Sequence, residues 1–143
     1  GPGGLRGPQG MPLLKPPYGR ITAIDLNTGE HLWQITNGGT PESIRSNPAL
    51  KGITIPPTGA SAHANVLLTR TLLFYGEGRG GAALFHAVDK RSGEEIAAVN
   101  LPAETNAAPM TFMHQGRQYI VVAIADADVT AELVALALPR EDR

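Results

Sequence analysis

The chain has 143 residues, a length typical of one domain, with 12 basic and 13 acidic side chains and a formal net charge of −1. This near balance, without a basic stripe, excludes the electrostatic footprint of a nucleic-acid-binding protein. The lack of cysteine excludes disulfides and thiolate metal sites, and no apolar run approaches the roughly 20 residues that a membrane-spanning helix needs.

The N-terminal part of the chain predicts an entry loop followed by a hairpin. Residues 1–17 are rich in glycine and proline, which is typical of a loop. "RITAIDL" and "HLWQI" alternate like strands, and "NTGE" between them contains residues that tolerate the positive φ of a tight turn. We expect Asp25 and Thr28 to bond nearby backbone amides, a structural role rather than a catalytic one.

The rest of the chain predicts further strands after an insertion. Residues 37–64 are rich in Gly, Pro, Ser and Asn and are predicted to form a loop, with one short helical turn at "PESIRS". "NVLLTRTLLFYGEG" predicts two short strands, and "AALFHAVDK" with "EEIAAVNLP" predicts a hairpin. "APMTFMHQGRQYIVVAIA" predicts a hairpin that turns at Gln115 and Gly116, and "AELVALALP" a closing strand.

One hairpin occurs twice. "AIDLNTGEHLW" (23–33) returns as "AVDKRSGEEIA" (87–97), with Ala97 in the place of Trp33. Strands therefore recur in groups of four, and a repeat of roughly 40–50 residues is typical of a β-propeller blade. The predicted fold is all-β: a β-propeller segment of about two to three four-stranded antiparallel blades.

A glycine-rich segment invites a dinucleotide-binding interpretation. "GEGRGG" (76–81) satisfies G-x-G-x-x-G after a predicted strand. That site needs a helix to follow, because the helix N-terminus meets the pyrophosphate. The sequence continues instead with the strand "AALFHAVDK", so we interpret the segment as a connection between strands without nucleotide affinity.

The remaining polar residues form no catalytic constellation. His31, His63, His86 and His114 lie far apart without ligand spacing, and we expect His31 and His86 to be packing or surface residues of strands. Asp126 and Asp128 follow a predicted strand. Cation binding is one interpretation of this pair, and solvated loop acids are the interpretation that we favour.

Several stretches resemble one enzyme family. "LLKPPYGRITAIDLNTGEHLWQ", "PMTFMHQGRQYIVVAIA" and "ELVALALP" are similar to the C-terminal part of pyrroloquinoline quinone (PQQ) dependent dehydrogenases of the membrane glucose dehydrogenase and alcohol dehydrogenase types. The pattern A-x-D-x-x-T-G-x-x-x-W at Ala23–Trp33 resembles the family's tryptophan-docking motif, in which the tryptophan packs against the neighbouring blade. Ala97 in the second copy implies weaker docking there.

The resemblance implies an eight-bladed propeller that carries PQQ and Ca²⁺ on its axis and oxidises alcohols or aldose sugars in the periplasm. An aspartate base removes the hydroxyl proton, hydride passes to the quinone, and electrons leave to ubiquinone or a cytochrome. This chain corresponds to the last two to three blades, over residues 18–140, with a tail at 141–143. Its partners are then the remaining blades, which carry the catalytic aspartate and the calcium ligands, so the isolated fragment is predicted to be inactive.

Two residues are candidates for contact with the cofactor. "KPPYG" (15–19) matches a family motif whose aromatic or amide residue lies near the quinone, which makes Tyr18 the first candidate; packing between blades is its alternative role. "TGASAHA" (58–64) corresponds to the loop that enters the next blade near the axis, which makes Ser61 the second candidate.

Two non-enzymatic interpretations stay open. One is a propeller segment that serves as an interaction scaffold, as in outer-membrane assembly, and the other is an autonomous β-domain that binds a peptide along a sheet edge. "PPYGRITAIDL" and "PMTFMHQGRQYIVVA" favour the enzyme family over the scaffold.

Overall fold

The structure, a computed structural model, describes residues 5–60 and 62–139. Within these ranges the chain is nearly all β, and no helix is long or apolar enough to cross a membrane. The nine strands are β1 (Arg20–Ile24), β2 (His31–Thr36), β3 (Asn65–Leu68), β4 (Leu72–Gly76), β5 (Leu84–Asp89), β6 (Glu95–Asn100), β7 (Met110–His114), β8 (Arg117–Ile124) and β9 (Glu132–Leu136). The helical elements are α1 (Glu42–Arg45) and two 3₁₀ turns, Pro8–Gly10 and Pro48–Leu50.

The strands form three antiparallel sheets in chain order. The first sheet is β1-β2, the second is β3-β4-β5-β6, and the third is β7-β8-β9. Consecutive strands are neighbours throughout, so each sheet is a simple meander. This arrangement confirms the predicted all-β architecture, with the second sheet as a four-stranded unit between two partial ones. The predicted tail, 141–143, lies outside the described residues.

The two repeated hairpins have the same turn. The glycine N–H donates to the carbonyl of the aspartate four residues earlier, at 2.7 Å for Gly29 to Asp25 and 2.8 Å for Gly93 to Asp89. Each aspartate carboxylate also accepts from the backbone N–H two residues later, at 2.7 Å. Thr28 accepts from the backbone N–H of Glu30. The structural role predicted for Asp25 and Thr28 is therefore confirmed.

The first and second sheets pack through a cluster that we call the first seam. Leu73, Tyr75 and Val88 of the second sheet are buried, and Ile21, Trp33 and Ile35 of the first sheet pack against them. The indole Nε1–H of Trp33 donates to the carbonyl of Lys90 at 3.0 Å. A Cβ added at Gly93 would lie 2.7 Å from the indole ring, so the ring lies directly on the second hairpin's turn.

The second and third sheets pack through a second seam, which is tightly packed at one end and open at the other. A core of Phe85, Leu101, Ala103, Val122 and Ile124 closes one end of it. The other end is an open apolar cleft of about 920 Å³. Its walls include Leu72, Phe74 and Ala97 of the second sheet, and Tyr119, Ile120 and Leu136 of the third. Ala97 pairs with Ala87 as Trp33 pairs with Ala23, so the cleft borders the position that a tryptophan fills in the first hairpin.

Candidate functional site

Because the strands alternate in direction, the longer connections all lie at the same end of the strands. These are residues 37–64, 77–83, 101–109 and 125–131, and Tyr18 and Gly19 enter β1 at the same end. We call this end of the strands the loop end, and the opposite end, which carries the tight turns, the turn end. Connections positioned by a rigid scaffold are where proteins most often carry function, so the loop end is the candidate site.

Asn37 ties the connections of the first two sheets together. Its N–H donates to Gly19 at 2.9 Å, and its carbonyl accepts from the N–H of Ala60 at 2.8 Å. Its side-chain Nδ2 donates to the carbonyls of Glu77 (3.1 Å) and Ala62 (3.4 Å). Asn37 is 1% exposed, and its Oδ1 has no hydrogen-bond partner in the part of the chain that the structure describes.

Tyr18 lies at the loop end and is half-buried. Its N–H donates to the carbonyl of Thr58 at 2.8 Å. The backbone of the next residue, Gly19, lies so close to Ala60 that only glycine fits, because a Cβ at Gly19 would lie 1.9 Å from the carbonyl oxygen of Ala60. Tyr18 is thus fixed against the 37–64 connection. Ser61, the second candidate from the sequence, lies outside the described residues.

The glycine-rich segment is a closed loop between β4 and β5. The N–H of Gly78 donates to Thr105 Oγ1 at 3.1 Å, that of Gly80 to Glu104 Oε2 at 3.0 Å, and that of Ala82 to Glu77 Oε2 at 2.7 Å. Two of these three acceptors are carboxylates, which repel a phosphate. Since a strand follows the loop, the predicted connection between strands is confirmed and the amides needed for a dinucleotide are already occupied.

A buried charge network lies beneath this loop. His86 of β5 stands between two carboxylates: Nε2 is 3.3 Å from Glu77 Oε1, and Nδ1 is 2.7 Å from Glu95 Oε2. Tyr75 stacks on the imidazole, with ring centroids 4.5 Å apart. Glu77 and His86 are 4% and 8% exposed, whereas the Glu95 side chain is 53% exposed.

These contacts set the charge states. Burial raises the pKa of the Glu77 carboxyl, but hydrogen bonds from His86 and the Ala82 N–H outweigh burial and hold the pKa below its ordinary 4.5. Burial lowers the pKa of His86, but hydrogen bonds to Glu77 and Glu95 outweigh it and hold the pKa above 6.5. Burial, with the charges of Glu95 and Glu77, raises the pKa of Tyr75 to about 12. The network therefore favours the charged form of His86 and the neutral form of Tyr75.

The sequence did not indicate this network. His86 was predicted to be a packing or surface residue of a strand, and it is indeed a buried strand residue. Glu77 stood inside the glycine-rich pattern and Glu95 beside a turn. Tyr75 and His86 face each other across β4 and β5, and only that pairing register, with Glu77 two residues farther along, signals the contact.

The other polar candidates stay apart. His31, His63 and His114 are exposed, and the described residues contain no group of three or more His, Cys, Asp or Glu side chains that could hold a metal ion. Asp126 and Asp128 are exposed, and Asp126 Oδ1 accepts from the N–H groups of Asp128 and Val129 at 2.8 Å. Both residues are thus exposed loop acids, and Asp126 also stabilises its own turn.

The side chains at the loop end can be compared with what a quinone that carries carboxylates needs from its binding site. Tyr18 offers a half-buried aromatic side chain at the loop end. The unpartnered Oδ1 of Asn37 is an acceptor and is enclosed, and the nearby carboxylates of Glu77 and Glu104 are bonded to loop amides. Tyr18 therefore stays the candidate for contact with such a group.

Comparison with known proteins gives a consistent family. Residues 2–120 match the family described as glucose/ethanol/alcohol dehydrogenase, beta-propeller domain, in the PQQ class. The chain is 29% identical to quinoprotein glucose dehydrogenase A of Acinetobacter calcoaceticus over 80% of this chain and 14% of the relative.

Two further relatives act on other alcohols by name. The chain is 31% identical to the glycerol dehydrogenase large subunit of Gluconobacter thailandicus, over 91% of this chain and 18% of the relative. It is 29% identical to the quinate/shikimate dehydrogenase (quinone) of Acinetobacter baylyi, over 82% of this chain and 14% of the relative. The chain thus spans less than a fifth of the length of these relatives.

Proposed function

Since this chain belongs to the PQQ-dependent glucose, ethanol and alcohol dehydrogenase β-propeller family, we propose that it forms C-terminal blades of a quinoprotein dehydrogenase. The proposed reaction is oxidation of an alcohol or an aldose sugar in the periplasm, with electrons passed to a quinone or a cytochrome. The proposal rests on the match of residues 2–120 to the family. The three antiparallel sheets, each built from strands that are consecutive in the chain, agree with that match.

The packing of Trp33 supports the propeller arrangement. Its ring lies on Gly93 and its indole N–H bonds to Lys90 in the second sheet. We interpret this contact as the tryptophan-docking motif that joins neighbouring blades. The second and third sheets then follow as the next blades around the ring, and the remaining partners of this chain are the blades that complete it.

The proposed contribution of this chain to chemistry is a wall of the cofactor site. When bound, PQQ supplies the two-electron acceptor that converts an alcohol to a carbonyl compound. Tyr18 would contact the cofactor, held by its backbone bond to Thr58, and Ser61 stays the second candidate. The catalytic aspartate and the calcium ligands are proposed to come from other blades, so the chain alone would not turn over substrate.

The test uses the intact protein that contains this chain, loaded with PQQ and Ca²⁺. Dye reduction is measured with glucose, glycerol, quinate and ethanol, and PQQ affinity is measured separately by fluorescence. We expect Tyr18→Ala to weaken PQQ binding about 2–10-fold, the loss of one aromatic contact, and Tyr18→Phe to retain binding.

Tyr119→Ala is the matched control, because Tyr119 stacks on Phe112 in the third sheet, away from the 37–64 connection. Unchanged PQQ affinity in Tyr18→Ala would contradict the proposed contact between Tyr18 and PQQ, but not the assignment to a quinoprotein dehydrogenase. An intact protein that binds no PQQ and reduces no dye with any of the substrates would contradict the dehydrogenase and favour the interaction scaffold.

A further inference from the structure

The His86 network has more acceptors than a neutral imidazole can serve. A neutral ring has one N–H and one lone pair, whereas the imidazolium has two N–H donors. Both ring nitrogens of His86 face carboxylate oxygens, at 2.7 Å to Glu95 and 3.3 Å to Glu77. Two ionised carboxylates in these positions are satisfied only by the protonated ring, so the geometry itself selects one protonation state.

We propose that Glu77, His86 and Glu95 form a pH-sensitive clasp, closed while His86 is charged and opened on the Glu95 side when the ring loses its proton. The direction of opening follows from burial. The Glu95 side chain is 53% exposed, so water solvates its carboxylate once the contact opens, whereas the Glu77 side chain is 6% exposed. Glu77 also accepts from the N–H of Ala82, so the neutral ring keeps its single N–H on Nε2 for Glu77.

Other groups around His86 do not replace Glu95. Tyr75, stacked on the ring, stays neutral because its pKa is raised to about 12. His114 and Arg117 line the cleft that His86 also borders. Arg117 has only donors and cannot accept from the imidazolium, and among the described residues the ring nitrogens of His86 contact only Glu95 and Glu77. The Arg117 guanidinium instead lies over the ring of Tyr119 and donates to the carbonyl of Leu138.

The sign of the pH dependence follows from the two shifts. The pKa of His86 is held above 6.5, so its contribution to stability is complete below pH 6.5 and is lost as pH rises through the folded-state pKa. The pKa of Glu77 is held below 4.5, so its contribution is complete above pH 4.5 and is lost in more acidic solution. The clasp is therefore most stabilising between pH 4.5 and 6.5.

Opening on the Glu95 side would loosen the contact between β5 and β6 and leave the glycine-rich loop in place. Glu95 begins β6 and His86 lies in β5, so their contact joins the two strands beside the bulge at Ala87 and Val88. Glu77 holds the glycine-rich loop through Ala82, and its charge is balanced by His86. A rise in pH thus weakens the β5–β6 edge first, while the loop keeps its hydrogen bond.

The experiment is imidazole C2 hydrogen–deuterium exchange of the intact protein across pH, read by mass spectrometry. His31, His63 and His114 are exposed and serve as internal references in separate peptides. We expect the exchange midpoint of His86 to lie at higher pH than those of the three references, and its exchange to be slower. Glu95→Gln should move the His86 midpoint to lower pH without changing the other three.

Glu94→Gln is the matched control, since Glu94 is an exposed neighbour whose side chain makes no hydrogen bond to His86. It should leave the His86 midpoint in place. A His86 midpoint at or below the references, or one that Glu95→Gln does not move, would overturn the clasp. Because the Glu95 side chain is 53% exposed, Glu95→Gln removes its charge without burying an unpaired group, so the test is made on a folded protein.

Discussion

At the scale of single residues, the first seam depends on the pairing of Trp33 with Gly93. The ring occupies the space where any other residue at position 93 would place a Cβ, and Gly93 also has a φ of 74°, a region that glycine adopts at little cost. The indole N–H bond to Lys90 fixes the orientation of the ring. Two residues from different hairpins therefore constrain each other.

Trp33→Ala is expected to lower the free energy of unfolding by about 3 kcal/mol, at the lower end of the range for large aromatic truncations because the ring is half-buried. Gly93→Ala should also destabilise the protein, and should cost less when Trp33 is already Ala, because the clash is gone. Urea unfolding of the two single variants and the double variant in the intact protein measures this coupling. Strictly additive values would show that the ring does not lie on the turn.

Residue roles were predictable from sequence where they are local. Asp25 and Thr28 bond backbone groups two residues away, and such contacts are encoded by a short motif. Glu77 and His86 are nine residues apart in sequence and meet only through the β4–β5 register. Tertiary contacts of this kind depend on pairing that no local pattern specifies, and that is why the clasp was missed.

At the scale of elements, the connections at the loop end are joined by close backbone approach. Gly76 at the end of β4 is buried, and a Cβ there would lie 2.2 Å from Thr105 Oγ1. The same Thr105 oxygen accepts from the N–H of Gly78. The 77–83 and 101–109 connections are thus held together by a contact that depends on the absence of a side chain.

Gly76→Ala is expected to destabilise the protein by about 1–3 kcal/mol, because Thr105 must move and its bond to Gly78 weakens. Gly39→Ala is the control: a Cβ at Gly39 meets nothing within 4 Å, so its effect should be neutral or stabilising by less than about 1 kcal/mol. Thermal unfolding of both variants compares them. Equal stabilities would mean that Thr105 does not pack on Gly76.

Element boundaries followed from the sequence closely. Alternation and turn residues predicted strands on both sides of Gln115 and Gly116, and β7 and β8 lie there with φ values of 48° and 74° at the turn. The helical turn predicted in "PESIRS" is α1. Period-2 patterns and turn chemistry are local signals, and these elements depend on little else.

At the scale of the whole molecule, the two seams differ at the turn end. Trp33 fills the first seam, whereas Ala97 leaves the cleft of about 920 Å³ at the second. Sequence comparison of the repeats predicted weaker docking at Ala97, and the open cleft lies where that prediction places it. The size of the cleft was not predictable, because it depends on Tyr119, Leu136 and other residues of the third sheet.

Ala97→Trp is expected to stabilise the protein by about 1–2 kcal/mol, because an indole on this face of β6 buries apolar surface in the cleft. Ile96→Trp is the control, since Ile96 precedes it on the same strand and is 59% exposed. It should change stability little. A loss of stability in Ala97→Trp, measured by urea unfolding of the intact protein, would show that the cleft cannot accept the ring.

The candidate site was predictable only in outline. The resemblance of "KPPYG" to a family motif pointed to Tyr18, which lies at the loop end beside the 37–64 connection. The amides of Gly78 and Gly80, whose hydrogen-bond partners the G-x-G-x-x-G pattern does not indicate, are bonded to Thr105 and Glu104. Which polar groups are free is decided by packing between sheets, and a single sequence carries no direct record of it.

The uneven second seam has a mechanical consequence. Its core of Phe85, Leu101, Val122 and Ile124 lies toward the loop end, and its gap lies at the turn end. Local opening costs least where few apolar contacts must break. We therefore expect thermal fluctuations to separate these two sheets first at the turn end. The loop end, which carries Tyr18 and the glycine-rich loop, should separate last.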